Sequence, residues 1–166
     1  MVRGDIRHFS FPDRSFSFVM VLYGILQSLL VDRDLARTLD AVARVLTRRG
    51  TFGLELVADL PSWTEHSRKV SLRGRRGSTG APITLVESVT QDRAQGVTQF
   101  DQEFIEGRGA SAVRRRFSLA FRTVTVPQMV RRLEKAGLEV SALLGDYQGG
   151  PWDPRAEVWI ILARRR

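Results

Sequence analysis

The segment FSFVMVLYGIL, residues 16–26, and the segment DLARTLDAVARVLTRRGTFGLELV, residues 34–57, together decide the fold class. Phe16–Leu22 is short and apolar almost throughout, which predicts a strand that is covered on both faces, as in a parallel sheet. Thr51–Val57 predicts a second strand of the same kind. Apolar residues recur between them at helical spacing (Leu35, Leu39, Val42 and Leu46). The order strand, helix, strand predicts a βαβ unit with a right-handed crossover.

Residues near both ends of this helix predict where it starts and stops. Asp32 or Asp34 can cap its first turn. Arg48 and Arg49 suit its last turn electrostatically, and Gly50 is expected to end it.

The middle of the chain predicts an antiparallel insertion. The polar segment from Asp59 to Pro82 is expected to form a loop that is mobile around its glycines, Gly74, Gly77 and Gly80. Three strands without intervening helices follow it, at Ile83–Thr90, Val97–Ile105 and Phe117–Val124. We therefore interpret residues 83–124 as an insertion within one domain that spans residues 1–166.

The C-terminal part returns to the α/β pattern. Thr125 is expected to cap a helix that carries Pro127 in its first turn and ends at Gly137. Leu138–Leu144 and Ala156–Ala163 then predict an antiparallel hairpin with a long connection. The fold class is therefore α/β, with a partial Rossmann-like sheet, helices and a three-stranded antiparallel insertion.

Composition limits the possible functions. The chain has 166 residues, no cysteine and two histidines, so thiolate metal sites and disulfides are excluded and a histidine metal cluster is not expected. The net charge of +8 comes almost entirely from arginine in short, scattered runs. These runs could contact nucleic acid or an acidic surface. No aromatic residues interleave with them, however, so we interpret the runs as solvent-exposed surface that binds no partner. No signal segment or membrane span is recognisable, and a cytoplasmic location is expected.

The order of the motifs resembles the latter part of class I S-adenosylmethionine-dependent methyltransferases. The matching pieces are GDIRHFSFPDRSFSFV (residues 4–19), LYGIL (22–26), the helix and strand of residues 34–57, and RRRFSLAFRTVTVPQMVRRLEKAGLEVSALLGDY (114–147). The resemblance implies S-adenosylmethionine as cofactor and a methyl-transfer activity. It also implies that the antiparallel insertion covers the substrate.

The resemblance implies two groups of cofactor contacts. Asp5 and Ile6 occupy the place that faces the adenine, although Asp5 could equally be a turn residue. Leu22, Tyr23 and Gly24 occupy the place that faces the methionine side, although Tyr23 could instead pack on the core.

Two features of the family have no counterpart in these residues. One is the glycine-rich loop after the family's first strand, and the other is the acidic residue that binds the ribose hydroxyls. We therefore expect this chain to bind the cofactor weakly or not at all. The strand that contains Phe18 is expected to be an open edge, because its family neighbour is also absent. A partner chain or self-association could cover that edge, or the chain could be a fragment of a longer product.

Five further residues are candidates for substrate chemistry. His66 is the histidine best placed to act as a general base, although an exposed loop histidine fits as well. Trp63, Tyr147 and Trp152 are candidates for lining a substrate pocket, and the last two could instead close the end of the sheet. Glu55 lies within a strand and would need a partner if buried; it could bind substrate or brace the fold.

Three functions remain open at this point. The first is S-adenosylmethionine-dependent methyl transfer to an unknown small molecule, impaired by the missing cofactor features. The alternative is a non-catalytic partner or regulatory subunit that associates through the exposed edge of the strand containing Phe18. The third, nucleic-acid binding, is the least favoured.

Overall fold

The computed structural model describes residues 3–8, 10–156 and 158–166, which form two compact units. The first unit comprises Met1–Asp59 and Thr123–Arg166, and the second comprises Leu60–Arg122. The helices are α1 (Asp32–Val45) and α2 (Val126–Lys135). The strands are β1 (Phe16–Val21), β2 (Leu46–Val57), β3 (His66–Arg75), β4 (Pro82–Asp92), β5 (Val97–Glu106), β6 (Val113–Arg122), β7 (Leu138–Leu144) and β8 (Val158–Arg165).

The first unit contains a four-stranded sheet in the order β1-β2-β8-β7. Strands β1 and β2 are parallel and are connected through α1, which confirms the predicted βαβ unit. Strand β8 lies antiparallel to β2 and β7 lies antiparallel to β8, which confirms the predicted hairpin. This arrangement is the Rossmann-like α/β class expected from the sequence.

One face of this sheet carries the hydrophobic core. The two helices bury Leu35, Leu39, Met129 and Leu133 against it, each at most 1% exposed. The sheet contributes alternate residues of β2 and β8 to the same cluster: Phe52, Leu54, Leu56, Ile161 and Ala163. Each buried leucine or phenylalanine stabilises the fold by roughly 1.5–3 kcal/mol, so this layer dominates the stability of the unit.

The prediction that β1 is covered on both faces is wrong. Val19 and Val21 pack against the core, whereas Phe18 and Met20 are 51% and 57% exposed. Alternate residues of a strand point to opposite faces, and the described residues place no layer over the face of Phe18 and Met20. Within the described residues β1 pairs with β2 alone, so it forms an edge of the sheet.

The predicted C-terminal end of α1 is also wrong. The helix stops at Val45, and Arg48, Arg49 and Gly50 belong to β2. A Cβ atom at Gly50 would lie 2.9 Å from the Leu46 side chain and 3.1 Å from the Phe16 carbonyl oxygen. The glycine therefore permits a close approach of two strands and does not terminate a helix.

Neither aspartate caps α1 through its side chain. The N-cap position is Val31, and Asp32 and Asp34 lie in the first turn, where negative charge is favourable. Asp34 forms an ion pair with Arg7 at 2.9 Å, and Asp32 forms one with Arg132 at 3.1 Å.

The predicted boundaries of α2 are confirmed. The Thr125 hydroxyl accepts a hydrogen bond from the Gln128 amide, and the Gln128 side chain accepts one from the Thr125 amide. These two bonds form a capping box, which satisfies two backbone donors that the helix leaves open. Gly137 follows the helix with φ of 77°, a conformation that glycine adopts without strain.

The second unit is a four-stranded antiparallel sheet in the order β3-β4-β5-β6. The three predicted strands are present, and residues 66–75, predicted to be part of a loop, form β3 as a fourth strand. Its side chains are almost all exposed, so its polar pattern resembles that of a loop. Backbone pairing with β4 makes it a strand, and such pairing leaves no periodic signal in side-chain polarity.

Strand β6 begins four residues earlier than predicted, at Val113. Its arginines, Arg114 to Arg116, form ion pairs with Glu103 and Glu106 on the adjacent β5. Cross-strand pairs of opposite charge stabilise a sheet, which explains why an arginine run continues the strand. Neither helix among the described residues is both long and apolar enough to cross a bilayer.

Candidate functional site

The carboxyl ends of β1 and β2 form the edge at which open α/β sheets usually bind ligands. Directly after β1 the backbone reverses through two left-handed residues, Tyr23 with φ of 55° and Gly24 with φ of 64°. A Cβ atom at Gly24 would lie 2.7 Å from Gln27 Oε1 and 2.8 Å from Val57 Cγ2. Glycine is therefore needed here for both its conformation and its size, and the turn packs tightly against the end of β2.

Gln27 joins this turn to β2. Its side chain is fully buried, donates to the Val57 carbonyl at 3.2 Å and accepts from the Val57 amide at 2.7 Å. A side-chain amide thus satisfies both backbone groups at the end of the strand. We did not single out Gln27 from the sequence; its signal is one amide within the apolar run of residues 18–31.

Glu55 and Tyr147 form a hydrogen-bonded pair in the first unit. The Tyr147 hydroxyl donates to Glu55 Oε2 at 2.8 Å. Glu55 is only 8% exposed, whereas Tyr147 is 68% exposed, so the carboxylate is buried beneath an accessible phenol. The prediction that a buried Glu55 needs a partner is confirmed.

The environment of Tyr147 raises its pKa above the ordinary value of 10.0. The largest cause is the hydrogen bond to Glu55, followed by desolvation and the negative charge of Glu55, and a smaller contribution comes from Tyr23. The hydrogen bond thus brings together Glu55 and Tyr147, two candidates from separate parts of the sequence.

Asp5 lies in an exposed turn and is engaged by Arg7. The Arg7 side chain donates to both Asp5 oxygens at 2.7–3.1 Å, and this interaction lowers the pKa of Asp5 to about 2. Arg7 also reaches Asp34 at 2.9 Å, which ties the turn to α1. Asp5 is thus a turn residue in this structure, and Ile6 beside it is half-buried.

Trp63 and His66 belong to the second unit. Trp63 packs edge-to-face on Phe100, with ring centroids 4.9 Å apart. His66 is the first residue of β3 and not part of a loop, and its Nδ1 lies 3.1 Å from the Thr64 carbonyl oxygen. Their proposed contacts with substrate stay predictions.

Trp152 lies in the connection between β7 and β8. It packs against the hydrophobic core and lies edge-to-face with Trp159, with ring centroids 6.2 Å apart. Its backbone amide donates to the Leu143 carbonyl at 3.2 Å. These contacts agree with a role in closing the end of the sheet, and its role in binding substrate stays a prediction.

The glycines of the second unit do not form a phosphate-binding loop. Gly77 and Gly80 lie in the turn between β3 and β4, two antiparallel strands, whereas such a loop opens the N-terminus of a helix. In the part of the chain that the structure describes, no three histidine, aspartate or glutamate side chains are grouped to hold a metal ion.

No protein-family model and no curated protein matches the sequence. Solved structures do match the fold. A S-adenosylmethionine-dependent methyltransferase from Clostridium acetobutylicum aligns with 99% of this chain and 63% of its own, at 13% identity and a TM-score of 0.77. The CcbJ methyltransferase from Streptomyces caelestis aligns over 99% and 67%, at 14% identity and a TM-score of 0.74.

The sugar N-methyltransferase KedS8 from Streptoalloteichus sp. gives a similar result, with 16% identity, a TM-score of 0.73, and coverage of 98% of this chain and 61% of its own. The chain thus spans a little over three fifths of the length of the structures it resembles. The likeness shows that the chain has the class I methyltransferase fold, as the sequence motifs implied.

Proposed function

We propose that the chain takes part in S-adenosylmethionine-dependent methyl transfer to a small-molecule acceptor. The observation that carries the proposal is the sheet β1-β2-β8-β7 with α1 and α2, in a chain that aligns over 98–99% of its length with solved methyltransferases. A fold hosts many functions, so the site must supply the rest of the argument.

The turn after β1 fits the methionine side of the cofactor. Leu22, Tyr23 and Gly24 lie at the carboxyl end of a parallel strand, and the buried Gly24 brings the backbone close to that edge. Asp5 fits the adenine side less well, because Arg7 engages both of its oxygens. An adenine contact there would require Arg7 to release one of them.

Methyl transfer requires the protein mainly to align the acceptor with the methyl group. S-adenosylmethionine, when bound, supplies a methyl group on a positively charged sulfur that leaves readily. The residues around the β1 turn would orient the acceptor and exclude water, and no catalytic triad or metal is required.

We further propose that this chain alone binds the cofactor weakly. Among the described residues, Gly77 and Gly80 lie in a turn between two antiparallel strands, so they do not replace the family's glycine-rich loop. The remaining contacts would come from the β1 turn on the methionine side and from the segment of Asp5 on the adenine side.

Amide-resolved NMR titration with S-adenosylhomocysteine tests both the cofactor contact at the β1 turn and the proposed weak affinity. We expect saturable shifts at Leu22–Gly24 with an affinity weaker than micromolar, and a loss of these shifts in Gly24→Ala. Gly137→Ala is the matched control, because Gly137 also has positive φ but nothing lies within 4 Å of its Cβ position. An absence of shifts at millimolar ligand would overturn the methyltransferase assignment. A sub-micromolar dissociation constant would refute the proposal that this chain alone binds the cofactor weakly.

A second candidate is a non-catalytic partner subunit. Its support is the open edge of β1, where Phe18 and Met20 are more than half exposed. Unpaired strand edges invite pairing with another chain. Light scattering after size exclusion would show a discrete complex that Met20→Lys abolishes; a monomer that is unchanged by this substitution would exclude the role.

A further inference from the structure

Glu55 is a buried carboxylate without a cationic neighbour. It is 8% exposed, and among the described residues no arginine or lysine forms an ion pair with it, although the chain carries 26 such residues. One hydrogen bond, from Tyr147, is the side-chain contact that the structure gives it. A buried charge with so little compensation costs free energy unless a ligand completes its surroundings.

The other buried carboxylate among the described residues shows the contrast. Glu103, whose side chain is 6% exposed, accepts hydrogen bonds from Arg68 and Arg116 at 3.1 and 3.0 Å. Arg114 lies 3.5 Å from it, so three guanidinium groups compensate one charge. Glu103 is a satisfied structural ion-pair centre, and Glu55 is not.

An accessible aromatic ring accompanies Glu55. Tyr147 is 68% exposed, and its hydroxyl donates to Glu55 Oε2 at 2.8 Å. A large exposed ring beside a buried carboxylate suits a ligand that carries positive charge, because ring faces attract cations and the carboxylate accepts their hydrogen bonds.

We propose that Glu55, with Tyr147 hydrogen-bonded to it, binds the protonated amino group of a small molecule. An ammonium group offers three donors, and a carboxylate has capacity for several more bonds than the one from Tyr147. The site lies at the same carboxyl edge of the sheet as the β1 turn. As an assignment of the methyl acceptor, this inference rests on the proposed function.

A protonated amine must lose a proton before its nitrogen can accept a methyl group, and this requirement defines the role of Glu55 in methyl transfer. The ammonium proton passes to the Glu55 carboxylate, and the freed lone pair on nitrogen forms the new N–C bond. S-adenosylmethionine, when bound, would supply the methyl group; its S–C bond would break, and the electron pair would stay on sulfur to give the neutral thioether. Glu55 thus binds the acceptor and accepts its proton, while Tyr147 positions Glu55.

A titration without cofactor tests amine binding independently of methyl transfer. The probe is glucosamine at a pH at which its amine is protonated, and glucose is the neutral comparison. We choose this pair because one structure with the same fold is named a sugar N-methyltransferase. Amide shifts around Glu55 and Tyr147 with glucosamine, and none with glucose at equal concentration, are the expected result.

Glu55→Gln is the decisive variant, because its carbonyl oxygen can still accept the Tyr147 hydrogen bond. Removing a charge-assisted hydrogen bond should weaken glucosamine binding roughly ten- to a hundredfold while the fold is retained. Tyr147→Phe keeps the ring and the carboxylate, so it should weaken binding by less than Glu55→Gln. Equal binding of both sugars, or unchanged glucosamine binding by Glu55→Gln, would refute amine binding by Glu55 and leave this residue a structural role.

The two proposals fail separately. Loss of the glucosamine response with intact S-adenosylhomocysteine shifts at Leu22–Gly24 would overturn the acceptor assignment alone. A glucosamine response without any cofactor response would leave an amine-binding site and overturn the methyltransferase assignment.

Discussion

Replacing Gln27 by methionine tests whether one buried amide holds the β1 turn against β2. Methionine has nearly the same length and volume but can make neither hydrogen bond to Val57. Each backbone group left buried without a partner costs about 1–3 kcal/mol, and the more apolar side chain offsets part of this. We therefore expect Gln27→Met to lower the free energy of unfolding by roughly 2–4 kcal/mol.

That loss is large against a total stability of about 5–15 kcal/mol for a domain, so equilibrium denaturation in urea measures it easily. Ser28→Ala is the matched control, since Ser28 lies in the same short turn, is exposed and donates to the Ile25 carbonyl at 2.7 Å. It should change stability by less than about 0.5 kcal/mol. A Gln27→Met chain as stable as Ser28→Ala would refute the idea that the amide seals the end of β2.

Three further predictions concern other parts of the chain. Thr125→Ala removes the capping box of α2 and should cost about 1–2 kcal/mol in urea denaturation, and an unchanged midpoint would show that the cap is dispensable. The lowered pKa of Asp5, about 2 against an ordinary 3.8, stabilises the fold above pH 4, and this contribution disappears as pH falls through 2. Asp5→Asn should therefore flatten the pH dependence of Tm in that range, and an unaltered profile would contradict it. Glu103→Gln should lower Tm more than Arg116→Gln does, because it removes the common partner of three arginines; equal effects would show that one pair matters alone.

The sequence predicts the first unit well because its elements have strong local signals. The apolar run of β1, the helical spacing of α1 and the Thr125 cap of α2 each follow from neighbouring residues, and the order of these elements resembles that of the methyltransferase fold. The end of α1 was predicted wrongly because Gly50 has two common uses, ending a helix and allowing close backbone approach. The close approach of the Phe16 carbonyl oxygen to Gly50, which the sequence does not reveal, distinguishes these two uses.

Long-range contacts explain what the sequence does not predict. Strand β3 depends on pairing with β4, and its exposed polar side chains carry no trace of that pairing. The hydrogen bond between Glu55 and Tyr147 joins residues 92 positions apart, so no local pattern reveals it. The need of Glu55 for a partner could be predicted from burial alone, whereas the identity of that partner could not.

The register of β2 with β8 has a consequence for synthesis on the ribosome. Thr51 pairs with Arg164 and Val57 pairs with Val158, so β2 emerges about a hundred residues before its central neighbour exists. The hairpins of β3 to β6 connect strands that are close in sequence and can form during that interval. Completion of the first unit thus waits for the synthesis of β8, and a nascent chain halted before Val158 presents a β2 that is paired with β1 on one edge only.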